Sequence, residues 1–236
     1  MDSMVKQDRI AIIPARGQSK RIPKKNILNI SGKPMIAYTI EAALKSGLFD
    51  KVLVSTDDDE IARISEEYGA WVPFRRSKYV DDYSTVSDVT LNALQVLEED
   101  FQQSYQTVVQ LMANCPLRDV TEIEKAVAFF EERNHSFQIS CFQYGWMNPW
   151  WAHSLDEKMK AMPLFPKEMK TKRSQDLEKL FCPTGAIWIA KVSDLMTSRS
   201  FYGEDYRFFP MSWRKALDID DYEDLRMVEI LIPETK

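Results

Sequence analysis

Short runs of consecutive apolar residues alternate along the chain with longer stretches of helical periodicity. Residues 9–14 (RIAIIP) are apolar and β-branched without alternation, a pattern typical of a strand buried on both faces of a parallel sheet. Pro34 then begins PMIAYTIEAALKSG, in which apolar residues recur at helical spacing and Gly47 stands where a C-terminal cap belongs. The first unit is therefore predicted to be a strand, a loop and a helix.

The same alternation repeats through most of the chain. Helices are predicted at 59–69, at 85–99 behind a Ser84 cap, from a Thr121–Glu124 capping box through Glu132, and behind Asp221 near the end. Strands are predicted at 51–56, 70–74, 107–112, 138–142 and 185–190. This order predicts one α/β domain over residues 1–236, with a three-layer, doubly wound, mostly parallel sheet.

Residues 144–175 break the periodicity. The segment is rich in Trp, Pro, Met and Lys and follows neither a helical nor a strand pattern, so it is predicted to be an inserted arm. Apolar side chains outside a core pattern need a surface to pack against. An arm that contacts a second subunit and a lid over the functional site are both open interpretations of Trp146, Trp150 and Trp151.

Composition narrows the possible functions. The 236 residues include 31 Lys and Arg against 36 Asp and Glu, a formal net charge of −5, which argues against nucleic-acid binding. No apolar run approaches the length of a membrane span, so no membrane partner is expected. The three cysteines match neither a zinc pattern nor an even disulfide framework, and the N-terminal residues do not resemble a signal peptide. A cytoplasmic protein is expected.

Cations are nevertheless concentrated in residues 14–26 (PARGQSKRIPKKN), directly after the first predicted strand. In a doubly wound sheet the ligand crevice lies at the carboxyl ends of the strands, and a cationic loop there suits a triphosphate. With Gly17 as its only glycine, the loop matches neither the Walker nor the Rossmann pattern. A solvated basic loop is the alternative. The cations are Arg16, Lys20, Arg21, Lys24 and Lys25.

Two carboxylates near the end of the chain form a second signal. Asp218 and Asp220 flank Ile219, and residues two apart in an extended segment point the same way, so both could bind one Mg²⁺. Asp220 and Asp221 also precede the last predicted helix, where acidic N-caps are common. The pair is therefore predicted to be a magnesium site or a helix cap.

Together these signals point to a family. PARGQSKRIPKKN resembles the opening loop of the acylneuraminate (sialic acid) cytidylyltransferases, and LDID before a helix is similar to their Mg²⁺-binding Asp-x-Asp. The likeness covers nearly the whole chain, through SGKPMIAYTIEAALKSG, VSTDDDEIA, YGAWVPFRRS, DDYSTVSDV, NCPLR, RSQDLEKLF and TGAIWIA in the family's order. The implied fold is that of the nucleotide-diphospho-sugar transferases, with a dimerisation arm.

The resemblance implies a reaction in which the anomeric hydroxyl of a nine-carbon 2-keto sugar acid attacks CTP, with Mg²⁺ as cofactor, giving a CMP-sugar and pyrophosphate. It also implies a homodimer with shared sites, in which residues 144–175 serve dimerisation and sugar binding. DDYSTV and RSQDLE are closer to the branches that handle pseudaminic or legionaminic acid. A 3-deoxy-manno-octulosonate cytidylyltransferase and a non-catalytic nucleotide-binding relative are the alternatives.

Site residues follow from the resemblance by position. Met112 stands where sialic acid enzymes carry a sugar-contacting Gln, and Val86 replaces a nucleotide-contacting Ser, which leaves Thr85 or Ser87 as its substitute. Cys115, with no histidine near it in the sequence, is predicted to be a structural thiol. Sugar contacts are implied for Arg173 and Gln175, and metal binding for Asp218 and Asp220. Catalytic roles are implied for Arg16, Lys25 and Asp220. Nucleotide contacts are implied for Arg16, Ser19, Lys20, Lys25, Asn26, Arg75 (beside the cytosine) and Thr85.

Overall fold

A six-stranded sheet forms the centre of the fold, in a computed structural model that describes residues 8–81 and 83–232. Two short two-stranded ribbons accompany it. In chain order the strands are β1 (Arg9–Pro14), β2 (Asn29–Ile30), β3 (Lys33–Pro34), β4 (Lys51–Ser55), β5 (Thr107–Gln110), β6 (Phe137–Gln143), β7 (His153–Leu155), β8 (Ala161–Pro163), β9 (Phe181–Lys191) and β10 (Arg207–Pro210).

The large sheet is mostly parallel, as predicted. Its strand order is β10-β6-β9-β5-β1-β4, and β1 pairs in parallel with both β4 and β5. The edge strand β10 is parallel to β6, whereas β9 runs antiparallel to both β5 and β6. Five strands therefore point one way, and their carboxyl ends meet at one edge of the sheet.

Helices cover both faces of the sheet. The helices are α1 (Met35–Ser46), α2 (Asp59–Glu67), α3 (Val86–Phe101), α4 (Val120–Arg133), α5 (Pro166–Thr171), α6 (Val192–Ser198), α7 (Trp213–Ala216) and α8 (Tyr222–Leu231). On one face, Ile13 of β1 shares a buried cluster with α1, α2 and α4. On the other, Ile12 shares a cluster with α3 and α6. Because β1 is covered on both sides, its sequence shows no polar alternation.

Several element boundaries differ from the prediction. Thr85, not Ser84, caps α3, in a capping box with Asp88. The predicted Thr121 capping box is wrong, because Asp119 caps α4 by accepting the backbone N–H of Glu122. The predicted strand at 70–74 is also wrong: only residue 71 pairs, in one isolated bridge to β4. The helix α6 and the strand β10 were not predicted.

Residues 144–175 lie largely at the surface. The segment holds the β7–β8 ribbon and α5. Trp150 packs edge-on against Phe165, with ring centroids 4.9 Å apart, and its Nε1 donates to the Glu178 carbonyl at 2.9 Å. Trp146 is 88% exposed and Met159 is 72% exposed. The arm is thus partly self-packed and leaves apolar side chains uncovered.

None of the helices within residues 8–81 and 83–232 combines the length and apolar character of a transmembrane span.

Candidate active site

A cleft of about 610 Å³ opens where the carboxyl ends of β1 and β5 meet. The loop after β1, the loop after β5, the start of α3 and the segment before α8 form its walls. Five cationic side chains face three carboxylates there, so the lining carries a net positive charge in an acidic protein. They are Arg16, Lys20, Arg21, Lys25 and Arg76, against Asp81, Asp218 and Asp220.

The basic loop after β1 is folded onto the neighbouring strand-end loop. The backbone N–H of Gly17 donates to Asp57 Oδ1 at 2.9 Å, and Asn26 Nδ2 donates to the Arg16 carbonyl at 2.9 Å. A Cβ at residue 17 would lie 2.8 Å from the Cβ of Asp58, so only glycine fits. Ile22, 1% exposed, anchors the loop in an apolar cluster. The cations are therefore held in place by the loop's own contacts.

The segment before α8 presents the carboxylate pair. Ile219 is fully buried, and its backbone N–H donates to the Asn114 carbonyl at 2.9 Å. Asp218 and Asp220, on either side of it, both line the cleft. The N-cap of α8 is Asp221, whose carboxylate accepts the backbone N–H groups of residues 223 and 224. The helix-cap interpretation therefore applies to Asp221 and leaves the other two carboxylates for the cleft.

The surroundings of the two carboxylates shift their pKa values in opposite directions. Surrounding protein raises the pKa of Asp218 by reducing its hydration, although its side chain is reached by solvent, and the charge of Asp220 adds to the rise. Reduced hydration also acts to raise the pKa of Asp220, but Lys25 and Arg21 outweigh it and lower that pKa. Lys25 Nζ donates to Asp220 Oδ1 at 3.0 Å, and Arg21 Nη2 lies 2.8 Å from Oδ2.

Two buried arginines support the cleft. Arg76 lines the cleft and donates to the Ser55 carbonyl at 2.7 Å. Burial lowers the pKa of Arg76, and this effect outweighs the charge of Asp57, which acts to raise it. Arg118 lies beneath the loop after β5, where burial lowers its pKa to about 10. Its guanidinium donates to the carbonyl of residue 186 at 2.6 Å and to Thr39 Oγ1 at 2.7 Å. Arg118 thereby joins that loop to β9 and α1.

Residues 10–188 match the family model described as Cytidylyltransferase. The chain belongs to the cytidylyltransferase family. This cytidylyltransferase is 38% identical to the pseudaminic acid cytidylyltransferase of Campylobacter jejuni, over 94% of this chain and 95% of that protein. It is 33% identical to the CMP-N,N'-diacetyllegionaminic acid synthase of Legionella pneumophila, over 94% of this chain and 95% of that protein. The predicted family is confirmed.

Solved structures confirm the fold. CMP:2-keto-3-deoxy-manno-octonic acid synthetase complexed with CTP matches with a TM-score of 0.69 at 18% identity, covering 97% of this chain and 99% of that one. The 4-diphosphocytidyl-2C-methyl-D-erythritol synthase of Anaerococcus prevotii matches with a TM-score of 0.65 at 13% identity, covering 95% of this chain and 98% of that one. At these identities the likeness concerns the fold alone.

The cleft of the cytidylyltransferase brings together seven of the eleven residues selected from the sequence. Four others lie outside its lining. Arg75 donates to Asp59 Oδ1 at 2.8 Å, and Thr85 is occupied as the cap of α3. Arg173 pairs with Asp176 at 2.9 Å in the arm, near the exposed Gln175. The seven in the cleft are Arg16, Ser19, Lys20, Lys25, Asn26, Asp218 and Asp220.

Sequence reasoning missed other residues that line the cleft. Arg76 is adjacent to the selected Arg75, and the string FRRS does not show which arginine turns inward. Asn114 belongs to no chemical motif, although it precedes the Pro-Leu-Arg string.

Cys115 is fully buried, and burial raises the pKa of its thiol to about 12, which suits a structural residue and not a nucleophile.

Proposed function

We propose that this enzyme transfers the cytidylyl group of CTP to a nonulosonic acid of the pseudaminic acid type, releasing pyrophosphate. The observation that carries the proposal is a cationic cleft with a carboxylate pair at the strand ends of a cytidylyltransferase. The 38% identity to an enzyme named for pseudaminic acid supports the choice of sugar. Met112 lines the cleft, and its thioether offers a sugar no hydrogen-bond donor.

In this proposal the basic loop neutralises the triphosphate. Arg16, Lys20 and Lys25 would bind its oxygens, with Ser19 and Asn26 as further nucleotide contacts. The sugar hydroxyl oxygen forms a bond to the α-phosphorus and its proton passes to water, as the bond from that phosphorus to the bridging oxygen breaks. Negative charge accumulates on the departing pyrophosphate. Preorganised cations stabilise that charge without rearrangement. Arg75 remains the proposed cytosine contact. Its neighbour Arg76 is the alternative, because Arg76 lines the cleft.

Asp218 and Asp220 fit a divalent cation. Their mutual repulsion, which contributes to the raised pKa of Asp218, would be relieved by Mg²⁺, and carboxylate oxygens are the ligands that it prefers. The described ranges contain no cluster of three or more His, Cys, Asp or Glu side chains that could hold a metal, so the triphosphate and water would complete the coordination. When bound, Mg²⁺ would supply additional neutralisation of the triphosphate. In the proposed mechanism Lys25 orients the Asp220 carboxylate for this role.

We further propose a homodimer with shared sites. Exposed apolar side chains on the arm, Trp146 and Met159 among them, would pack against a second copy. Arg173 and Gln175 lie outside the cleft of their own chain, so they would reach sugar in the partner's cleft. The three free cysteines favour a reducing compartment, which supports a cytoplasmic location.

Pyrophosphate release tests the proposal. The enzyme would be assayed with CTP, UTP and ATP, each against pseudaminic acid, legionaminic acid, N-acetylneuraminic acid and 3-deoxy-manno-octulosonate. Release is expected with CTP and a nonulosonic acid, fastest with pseudaminic acid. Equal rates with ATP, or a preference for the eight-carbon sugar, would contradict it.

A further inference from the structure

Asn114 links the loop after β5 to the carboxylate segment. Its backbone carbonyl accepts the N–H of Ile219 at 2.9 Å, and its side-chain Nδ2 donates to the carbonyl of Ile219 at 3.1 Å. Asn114 therefore hydrogen-bonds to both the N–H and the carbonyl of the Ile219 backbone. Lys25 Nζ donates to the same carbonyl at 2.8 Å. Three parts of the cleft wall meet at this one peptide unit.

The position of Ile219 makes this link consequential. Its side chain is fully buried in the apolar cluster that also contains Val228 of α8. Asp218 and Asp220 immediately precede and follow it, so fixing the Ile219 backbone fixes the direction in which both carboxylates leave the chain. Two neighbouring carboxylates repel one another, so contacts that fix the backbone between them help to keep both side chains in the lining of the cleft.

The environment of the Asn114 side chain argues against a role in packing alone. Asn114 is 5% exposed and lines the cleft, yet its buried Oδ1 has no hydrogen-bond partner in the part of the chain that is described. Native proteins seldom leave a buried acceptor unpaired. A leucine would fill a similar volume without that cost. The presence of an amide at residue 114 is therefore explained by its Nδ2 donation to the Ile219 carbonyl, next to the two carboxylates.

We propose that Asn114 is a positioning residue that holds Asp218 and Asp220 in the arrangement that binds a divalent cation. The inference rests on the magnesium role proposed above. Asn114 acts through the Ile219 carbonyl, in the manner of the hydrogen-bonding partners that orient metal ligands in other proteins. Its loss therefore weakens cation binding specifically and leaves the nucleotide and sugar contacts intact.

The test measures Mn²⁺ binding by isothermal titration calorimetry without nucleotide. Asn114→Leu removes the donor at similar volume and is expected to raise the Mn²⁺ dissociation constant about tenfold or more. Asn114→Thr keeps a side-chain donor and is expected to recover most of the affinity. Asn92→Leu is the matched control, because Asn92 is another buried asparagine, 8% exposed, outside the cleft lining. Circular dichroism checks folding, and Asn114→Ala replaces the leucine variant if that one does not fold.

Turnover supplies a second readout. Asn114→Leu is expected to need about tenfold more Mg²⁺ for half-maximal activity, while KM for the sugar at saturating Mg²⁺ stays at the wild-type value. An unchanged Mn²⁺ dissociation constant in the folded variant, or an equal loss in Asn92→Leu, would overturn the inference. If wild-type enzyme binds no Mn²⁺ and Asp218→Ala retains activity, the proposed magnesium role itself fails. If wild-type binds and Asn114→Leu binds equally, only the role of Asn114 fails.

Discussion

Replacing Gly17 by alanine should separate the basic loop from the start of α2. The new Cβ would lie 2.8 Å from both the Cβ and Oδ2 of Asp58, whereas carbon atoms in contact normally stay about 3.5–4.0 Å apart. The Oδ2 atom could rotate away, but the Cβ is fixed to the backbone. One of the two backbones must therefore move by about 1 Å, the difference between these two distances.

The cost depends on which backbone moves. Asp58 caps α2 by accepting the N–H of Ile61 at 2.9 Å, and losing such a cap costs about 1 kcal/mol. If the loop moves instead, Gly17 loses its bond to Asp57 and the cations shift by about 1 Å, a misplacement that can reduce turnover about a hundredfold. We expect Gly17→Ala to lose about 1–2 kcal/mol of stability and about ten- to a hundredfold in kcat.

Urea unfolding and pyrophosphate release measure these effects. Gly145→Ala is the control for stability, because apart from its chain neighbours no heavy atom lies within 4 Å of the Cβ it would add. Gly17→Ala combined with Asp58→Gly removes the clashing side chain and retains a tolerated N-cap, so it should recover most of the lost turnover. Wild-type turnover in Gly17→Ala, or no recovery in the double variant, would refute the argument that this contact sets the loop.

Three further predictions follow from the site and the arm. Asp218→Asn should abolish Mn²⁺ binding yet raise the melting temperature, because it removes an ionised group whose pKa the fold raises. The gain in melting temperature should be full at neutral pH and vanish below the ordinary carboxyl pKa of about 3.9. A lower melting temperature at pH 7 would contradict this prediction. In native protein at pH 8, N-ethylmaleimide should leave Cys115 unmodified by mass spectrometry, since burial raises its pKa to about 12, and Cys115→Ala should retain turnover. Trp146→Ser should weaken the proposed dimer by about 2–4 kcal/mol in sedimentation velocity, and an unchanged dimer would place the interface elsewhere.

Local signals predicted much of the fold because local physics determines those features. The unalternating apolar run of β1, Gly47 in a left-handed C-cap with φ of 63°, and the Asp221 cap of α8 are each specified within a few residues. The direction of β9 is not, because an antiparallel strand buried on both faces has the same composition as a parallel one. Asp119 and Thr121 were both chemically able to cap α4; the cap is Asp119, which also accepts a hydrogen bond at 2.7 Å from the distant Lys215.

The site was predicted only where its residues share a motif. The basic loop concentrates five cations within residues 16–25, and the Asp-x-Asp spacing is visible without a structure. Arg76 and Asn114 are held at the cleft by contacts to Ser55 and Ile219, which lie 21 and 105 residues away in the sequence. A buried polar side chain defined by such tertiary contacts leaves no periodic trace in the chain.

Detection of the CMP-sugar itself is the decisive test of the proposed cytidylyl transfer. The enzyme would be incubated with CTP, Mg²⁺ and pseudaminic acid, and the product identified by mass spectrometry beside a folded Lys25→Met variant. Lys25 is the cation that contacts both Asp220 and the Ile219 carbonyl, so its loss should reduce product formation about a hundred- to a thousandfold. CMP-pseudaminic acid from the wild type, with that loss in the variant, is the predicted result. No CMP-sugar from any nonulosonic acid, or undiminished product with Lys25→Met, would contradict the assignment of this cleft.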